Sequence, residues 1–411
     1  MNGRRGGFGR KPGGAKGNEM LKRLITAAAA AALMSGLAAG TSRADDLPLG
    51  YLAAKTGPFV SLSRTNSIAV EMAVDEINAK GGIKGKKLKL VTFDTAGKPE
   101  QAVVGVRKLA EDDKVLAIVG PFSSGEARVA FAAGDRAGIA TMSMASSAPK
   151  LAEPFKFAFR NTSDEGYMFS KVMATIVKKN LPHKTAAVAY ATDDTISKVM
   201  GTAVLPGVMK KAGVEVVKEV DFKLAAFDFS PQVSQIKATP VDLVGVGSPP
   251  DQAIKLAQEM RRQGVAARLV AGSTVADPDL PAKVGKDGDG FMIPTTFFEG
   301  ITPAAKKWAE EFSKRAKAAG LERTNASQFD AASYDIVLFY AWAMEQTGIT
   351  GDAGKLADER AAIRDKLRTM KNFPALEGPI SFGSNGDALK PVYILEMKDG
   401  KWTLVDSHPA G

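Results

Sequence analysis

The sequence predicts an α/β protein of two doubly wound lobes, each a parallel sheet with helices on both faces. Three observations predict it. Short apolar runs alternate with amphipathic helical stretches all along the chain past residue 45. The alternation comes as two successive series, and 411 residues are enough for two cores of ordinary domain size.

In the first series, 47–54 reads as a strand. Val70, Ala73, Val74 and Ile77 then fall on one face of a helix over 65–80, which Gly81-Gly82 ends. Residues 87–93 alternate as a strand. A helix over 99–111 follows, with Pro99 in its first turn and Val103, Val106 and Ala110 on one face. Residues 115–119 form a buried strand, 125–137 a helix and 139–143 a strand.

The second series opens with a helix marked by Phe169, Val172, Met173 and Ile176. Strands at 184–190, 214–222, 241–246 and 268–271 alternate with helices at 197–212, 231–238 and 251–263. Thr302 caps a further helix with Pro303 at its first position, and Ala305, Trp308 and Phe312 line one side of it. Residues 333–346 form a helix apolar nearly all round, hence buried. The chain closes on a hairpin, 391–397 and 401–405, turning at Lys398-Asp399-Gly400.

The first 44 residues are of another kind. Residues 1–19 are rich in Gly, Arg and Lys and lack apolar periodicity. Lys22-Arg23, the Ala- and Leu-rich run 24–40 and Thr41-Ser42-Arg43-Ala44 then give the charged, apolar and small-residue regions of a secretory signal, with cleavage expected after Ala44. The apolar run is shorter than a bilayer span requires. Met20 is an alternative start. This leader holds Arg4, Arg5, Arg10, Lys11, Lys16, Lys22, Arg23 and Arg43 against Glu19 alone. The formal charge of +10 therefore belongs mostly to the leader and is no sign of nucleic-acid binding. There is no cysteine, which removes thiolate catalysis and thiolate metal sites. The two histidines, His183 and His408, sit beside prolines, a poor setting for a triad or a zinc site. No metal, cofactor or catalytic group is expected.

Ligands of open α/β sheets bind beyond the carboxyl ends of the strands, so the informative loops are 55–64, 120–124, 143–149, 191–196, 246–250 and 271–276. Gly120-Pro121-Phe122-Ser123-Ser124-Gly125 has the spacing of a phosphate loop, but Glu126 occupies the lysine position and would repel phosphate. The helix N-terminus with the hydroxyls of Ser123 and Ser124 suits a carboxylate; the alternative is that both serines only cap the helix. Ser143-Met144-Ala145-Ser146-Ser147-Ala148-Pro149 is a second loop of small and hydroxyl residues. Gly245-Val246-Gly247 lacks the third glycine of a dinucleotide fingerprint, and Pro249 and Pro250 remove needed amides. One of Asp193 and Asp194 can face a cleft from its strand-end loop. Arg160 is read as half of a structural ion pair, with a ligand anion as its alternative partner.

The string Ala73-Val74-Asp75-Glu76-Ile77-Asn78-Ala79-Lys80-Gly81-Gly82-Ile83-Lys84-Gly85, with Thr56-Gly57-Pro58, Ile118-Val119-Gly120, Ala148-Pro149 and Tyr334-Asp335, resembles the branched-chain amino-acid-binding family of periplasmic ABC-transporter receptors. The resemblance implies the type I periplasmic binding protein fold: two lobes joined by three crossovers, placed near 162–166, 292–298 and 378–381. The implied lobes are 45–163 plus 297–378 and 164–296 plus 379–411. Ligand is then held between them in a monomeric receptor, and closure presents a surface to a membrane permease. The implied ligand residues are Leu62, Phe122, Ser123, Ser124, Ala145, Ser146, Ser147, Thr195, Ser248, Ser273 and Phe329.

Two departures from the family stand out. The disulfide of some members is missing, with Gly97 and Ser123 near its positions. The acid that pairs with an α-ammonium is replaced near Gly272-Ser273-Thr274, unless Asp277 takes its place. The resemblance implies an amino acid such as Leu, Ile or Val as solute, whereas the missing acid points to a carboxylate without the ammonium, an aromatic or aliphatic organic acid, for which the serine-rich loops with Phe59, Phe122 and Phe329 nearby are suited. The expected protein is periplasmic and non-enzymatic; a sensory receptor of the same fold is the alternative.

Overall fold

The computed structural model describes residues 46–410. The expected leader, residues 1–44 with cleavage after Ala44, lies outside the described residues. Strand β1 (Leu47–Ala53) pairs in parallel with β2 (Leu88–Asp94) and β3 (Ile118–Val119), Gly50 facing both Val91 and Ile118. β4 (Thr141–Ser143) and β5 (Ala158–Arg160) complete a five-stranded parallel sheet of order β2-β1-β3-β4-β5. Its helices are α1 (Val60–Ser63), α2 (Asn66–Ala79), α3 (Pro99–Arg107) and α4 (Ser124–Arg136). α2 buries Val70 and Ala73 as its periodicity requires. Beyond it, Gly82 has φ +72, and a Cβ there would stand 2.0 Å from the Lys86 carbonyl oxygen, so only glycine fits the turn into β2. The helix expected over 99–111 is α-helical to Arg107 and widens into a π turn over Lys108–Asp112.

The second sheet holds β6 (Thr185–Ala191), β7 (Glu215–Phe222), β8 (Leu243–Gly247), β9 (Arg268–Ala271) and β10 (Met292–Thr295), all parallel, in the order β7-β6-β8-β9-β10. Every residue of β8 is buried, as a strand covered on both faces requires. The accompanying helices are α5 (Glu165–Lys178), α6 (Thr195–Val199), α7 (Leu205–Lys211), α8 (Ser230–Lys237), α9 (Pro250–Arg262) and α10 (Leu280–Val284). The helix expected over 197–212 contains a π turn at Met200–Val204. There Gly201 packs on Tyr190 so closely that a Cβ would meet the ring at 2.0 Å.

The chain then returns to the first core with α11 (Pro303–Ala318), α12 (Gln328–Thr347) and α13 (Leu356–Arg368). The Thr302 hydroxyl oxygen accepts the Ala305 amide at 3.0 Å, capping α11. α12 begins at Gln328, five residues earlier than its apolar run implies, because Ser327 and Asp330 form a capping box. A small sheet of β11 (Phe373–Ala375), β12 (Gly378–Phe382) and β13 (Ala388–Leu389) follows. β14 (Val392–Lys398) then pairs antiparallel with β10, and β15 (Lys401–His408) pairs antiparallel with β14 at the edge of the sheet.

The chain thus passes between the sheets three times. Ile380, Phe382 and Ala388 all belong to the core of the first sheet. Lys390 and Pro391 then lead from that core to β14. One buried network fastens the three passages. Lys390 Nζ donates to the Asn161 carbonyl at 2.8 Å and pairs with the Glu377 carboxylate, which also accepts the Thr296 hydroxyl. Among the described residues, no helix is long and apolar enough to cross a membrane, and no group of three or more His, Cys, Asp or Glu side chains could hold a metal ion.

Candidate functional site

In a doubly wound sheet the strand order reverses at one point, and the crevice outside that point is where ligands sit. Both sheets have it, between β1 and β3 in the first and between β6 and β8 in the second. The two reversal points face each other across one cavity of about 400 Å³, its opening included. The first sheet contributes Phe59 and Leu62 after β1, Phe122, Ser123 and Ser124 after β3, and Ala145 after β4; Phe329 enters from the start of α12. The second contributes Asp194, Ile196 and Ser197 after β6, Pro249 after β8 and Thr274 after β9.

Aromatic packing shapes the first wall. The Phe122 ring lies between Phe59, at 6.0 Å between centroids, and Phe329, at 5.5 Å edge-on. Behind it, the guanidinium of Arg323 donates to the carbonyls of Ser61 and Leu62 at 3.1 and 2.9 Å and pairs with Asp330 at 2.7 Å. Asp330 also accepts the hydroxyls of Thr65 and Ser327, both at 2.7 Å. Leu62 and Phe329 are thus set by one buried ion pair. The Arg160 guanidinium forks onto Asp387, both bonds at 2.6 Å, and donates to the Ser146 and Ala148 carbonyls. Arg160 is therefore a structural residue that fixes the 143–149 loop.

The sequence-derived site residues divide in two. Leu62, Phe122, Ser123, Ser124, Ala145 and Phe329 come together on the cavity. The Ser123 hydroxyl, however, is spent on the capping box of α4, donating to Glu126 at 2.7 Å, and the Ser124 hydroxyl oxygen accepts the Ala148 amide at 3.3 Å. Glu126, fully buried, closes the place where a phosphate loop would keep its lysine.

Ser146, Ser147, Thr195, Ser248 and Ser273 lie beside the cavity without lining it. The Ser146 hydroxyl is buried with no partner. Ser248 donates to the Pro249 carbonyl at 3.0 Å. Thr195 faces α4, its hydroxyl 3.3 Å from where a Cβ on Gly125 would stand. Ser147 and Ser273 turn to Glu165. The Ser273 hydroxyl donates to that carboxylate at 2.8 Å, its amide donates as well, and the Glu165 amide donates to the Ser147 carbonyl at 3.0 Å. Burial pushes the Glu165 carboxyl up to about 7, against the hydrogen bonds from Ser273 and Ser147 that favour its charged form.

On the second wall the side chains reaching the cavity are the neighbours of those expected: Asp194 and Ile196 around Thr195, Pro249 after Ser248, and Thr274 after Ser273. The strand-end loops were readable, but not which residue of each turns inward. Asp277, the alternative for the missing acid, does not line this cavity. It holds Lys283 at 3.3 Å and the Asp279 amide at 2.9 Å, and it borders a separate hollow. That hollow, about 1030 Å³ with its open solvent, is bordered by Phe297, Gln328 and Trp402. It is larger but lies away from the reversal points. Two of its polar side chains are engaged within the fold: Trp402 Nε1 donates to the Asp277 carbonyl, and Gln328 accepts from Thr295 and Thr296.

Two wound sheets with apposed reversal points and three connecting passages define the class of two-lobed, cleft-binding receptors. The chain belongs to the periplasmic binding protein family, whose model matches residues 46–401. A Leu/Ile/Val-binding protein of Rhizobium johnstonii is 26% identical over 366 residues, covering 89% of this chain and 95% of the relative. The branched-chain amino-acid transporter substrate-binding protein LivJ of Streptococcus pneumoniae, in complex with isoleucine, superposes with a TM-score of 0.74 at 21% identity, covering 89% of this chain and 99% of its own. An ABC-transporter solute-binding protein of Rhodopseudomonas palustris, in complex with 3,4-dihydroxybenzoic acid, gives 0.76 at 19% identity over 89% and 98%. At these identities the two structures speak for the fold.

Proposed function

We propose that this chain is the extracytoplasmic solute-binding component of an ABC importer, closing around a small carboxylate-bearing solute and performing no chemistry on it. The observation that carries the reading is the apposition of the two reversal points across one cavity. The lobes are the halves built on the two sheets, the first continuing to Leu389 before the third passage. A solute touching both walls stabilises the closed arrangement over the open one. The solute carboxylate sits at the start of α4, against the first-turn amides of Ser124 and Gly125, which have no partner within the helix. Its apolar part lies against Leu62, Phe122 and Phe329.

The relatives support two solute types, a branched-chain amino acid and an aromatic acid. Residues 1–44 act as the export leader, and the closed receptor, a monomer, delivers its cargo to a membrane permease. The test is native mass spectrometry of the protein purified without unfolding, followed by calorimetry with leucine, isoleucine and 3,4-dihydroxybenzoate. The expected result is one solute per chain and an affinity lowered about tenfold or more by Phe122→Ala, through lost ring contact. Failure to bind any small acid, or turnover of a substrate, would overturn the proposal.

A further inference from the structure

The second wall carries a charge that a carboxylate seat on the first does not explain. Asp194 lines the cavity and is 8% exposed. Both hydrogen bonds it accepts fall on Oδ2, from the Ser197 amide at 2.9 Å and the Ser197 hydroxyl at 2.6 Å. Its other oxygen is thereby left for a ligand. Among the described residues the cavity lining includes no lysine, arginine or histidine, so Asp194 is its one charged side chain. The rest of the lining is largely apolar, with the Phe59, Phe122 and Phe329 rings on the opposite wall. A second polar atom of the same wall, Thr274 Oγ1, is buried without a partner.

Closing a cleft over an unpaired carboxylate is costly unless the occupant supplies the opposite charge. We infer that Asp194 is a specificity-determining residue, its Oδ1 accepting a hydrogen bond from an ammonium group of the solute. This rests on the solute-binding reading above and narrows it to solutes that carry both a carboxylate and an amine. The ring faces of the first wall tolerate a cation as well. The acid is supplied by the loop after β6, not by the turn around Ser273, where Glu165 is already bonded.

The experiment is calorimetric titration of the full exported chain with two matched sets. One set is L-leucine, isocaproate without the amine, and isoamylamine without the carboxylate. The other is L-phenylalanine, hydrocinnamate and phenethylamine. Asp194→Asn keeps the side-chain oxygen that caps α6, since Asn caps as well as Asp, and removes only the charge. Asp193→Asn is the control; Asp193 belongs to the same loop but accepts the Leu224 amide at 2.9 Å, away from the cavity lining.

The expected result is that an amino acid binds about tenfold or more tighter than its amine-free counterpart, as a charge-assisted bond implies. Asp194→Asn then abolishes that preference and Asp193→Asn preserves it. Equal binding of the amine-free acid by the unmodified protein, tight binding of 3,4-dihydroxybenzoate with none of the amino acids, or an unchanged preference in Asp194→Asn overturns the inference and leaves the receptor reading standing. Silence toward all six matched compounds and 3,4-dihydroxybenzoate overturns both.

Discussion

Replacing Glu165 by glutamine should flatten the dependence of stability on pH. The Glu165 carboxyl is fully buried at the start of α5, and burial raises it from an ordinary 4.5 to about 7. Below the lower value the group is protonated folded and unfolded, and it contributes no penalty. As pH rises above it, the unfolded chain gives up the proton while the folded chain holds it. The stability the group supplies is then lost steadily until the folded form ionises as well. Between pH 5 and 8 the loss is roughly 3 kcal/mol, at about 1.4 kcal/mol per pH unit over the interval before ionisation. A glutamine oxygen can still accept the Ser273 amide, and its nitrogen can donate to the Ser273 hydroxyl oxygen, so the local bonds have neutral replacements. Urea unfolding of both proteins at the two pH values gives the difference directly, and other titrating groups, Asp335 among them, cancel between the proteins. An equal change with pH in the two proteins, within about 1 kcal/mol, would refute the argument that a proton is held at Glu165 by burial.

Three further outcomes follow from the same packing. Gly272→Ala places a Cβ 1.6 Å from Glu165 Oε1; thermal unfolding should show a loss of about 1–3 kcal/mol, much smaller when Glu165 is itself alanine. Arg160→Met leaves Asp387 without the cation it holds at 2.6 Å; a loss of about 3–5 kcal/mol is expected in chemical denaturation, with partial recovery on adding Asp387→Leu. Lys390→Met removes the cation bonded to Glu377; burial, together with the charge of Glu377, keeps the neighbouring Asp335 carboxyl well above its usual range. A loss of about 3–5 kcal/mol near neutral pH, milder in acid where a carboxyl takes up a proton, would be read from unfolding midpoints.

What the sequence made legible was what repeats locally. The helix face Val70, Ala73 and Val74 and the wholly apolar 243–247 run show their burial in their spacing, because period and hydrophobicity are properties of a few consecutive residues. The turn at Asp399 and Gly400, with φ of 50 and 67, shows itself in residue type. Elements that depend on distant partners did not show. β5 is three residues long and carries Arg160, whose burial makes sense only with Asp387, 227 positions later. α13 hides the head of Arg360 on the Ala110 and Val115 carbonyls, so its buried face looks charged.

The site divides along the same line. The loops were visible as segments following strands, and on the first wall their apolar and hydroxyl residues do meet at the cavity. On the second wall the inward direction is set by long-range partners. Ser273 faces away because Glu165, 108 positions earlier, takes both its amide and its hydroxyl. That leaves Thr274 to face the cavity with an unpartnered oxygen. Gly272 is what lets the Glu165 carboxylate come so near. The acid that does stand beside this turn, Glu165, is therefore spent on the fold itself. The acid free to meet a ligand stands on another loop, at Asp194, where the capping of α6 holds one oxygen and leaves the other. Which of two neighbouring residues meets a solute is thus decided by what the rest of the fold has already bonded, and local sequence carries no record of that.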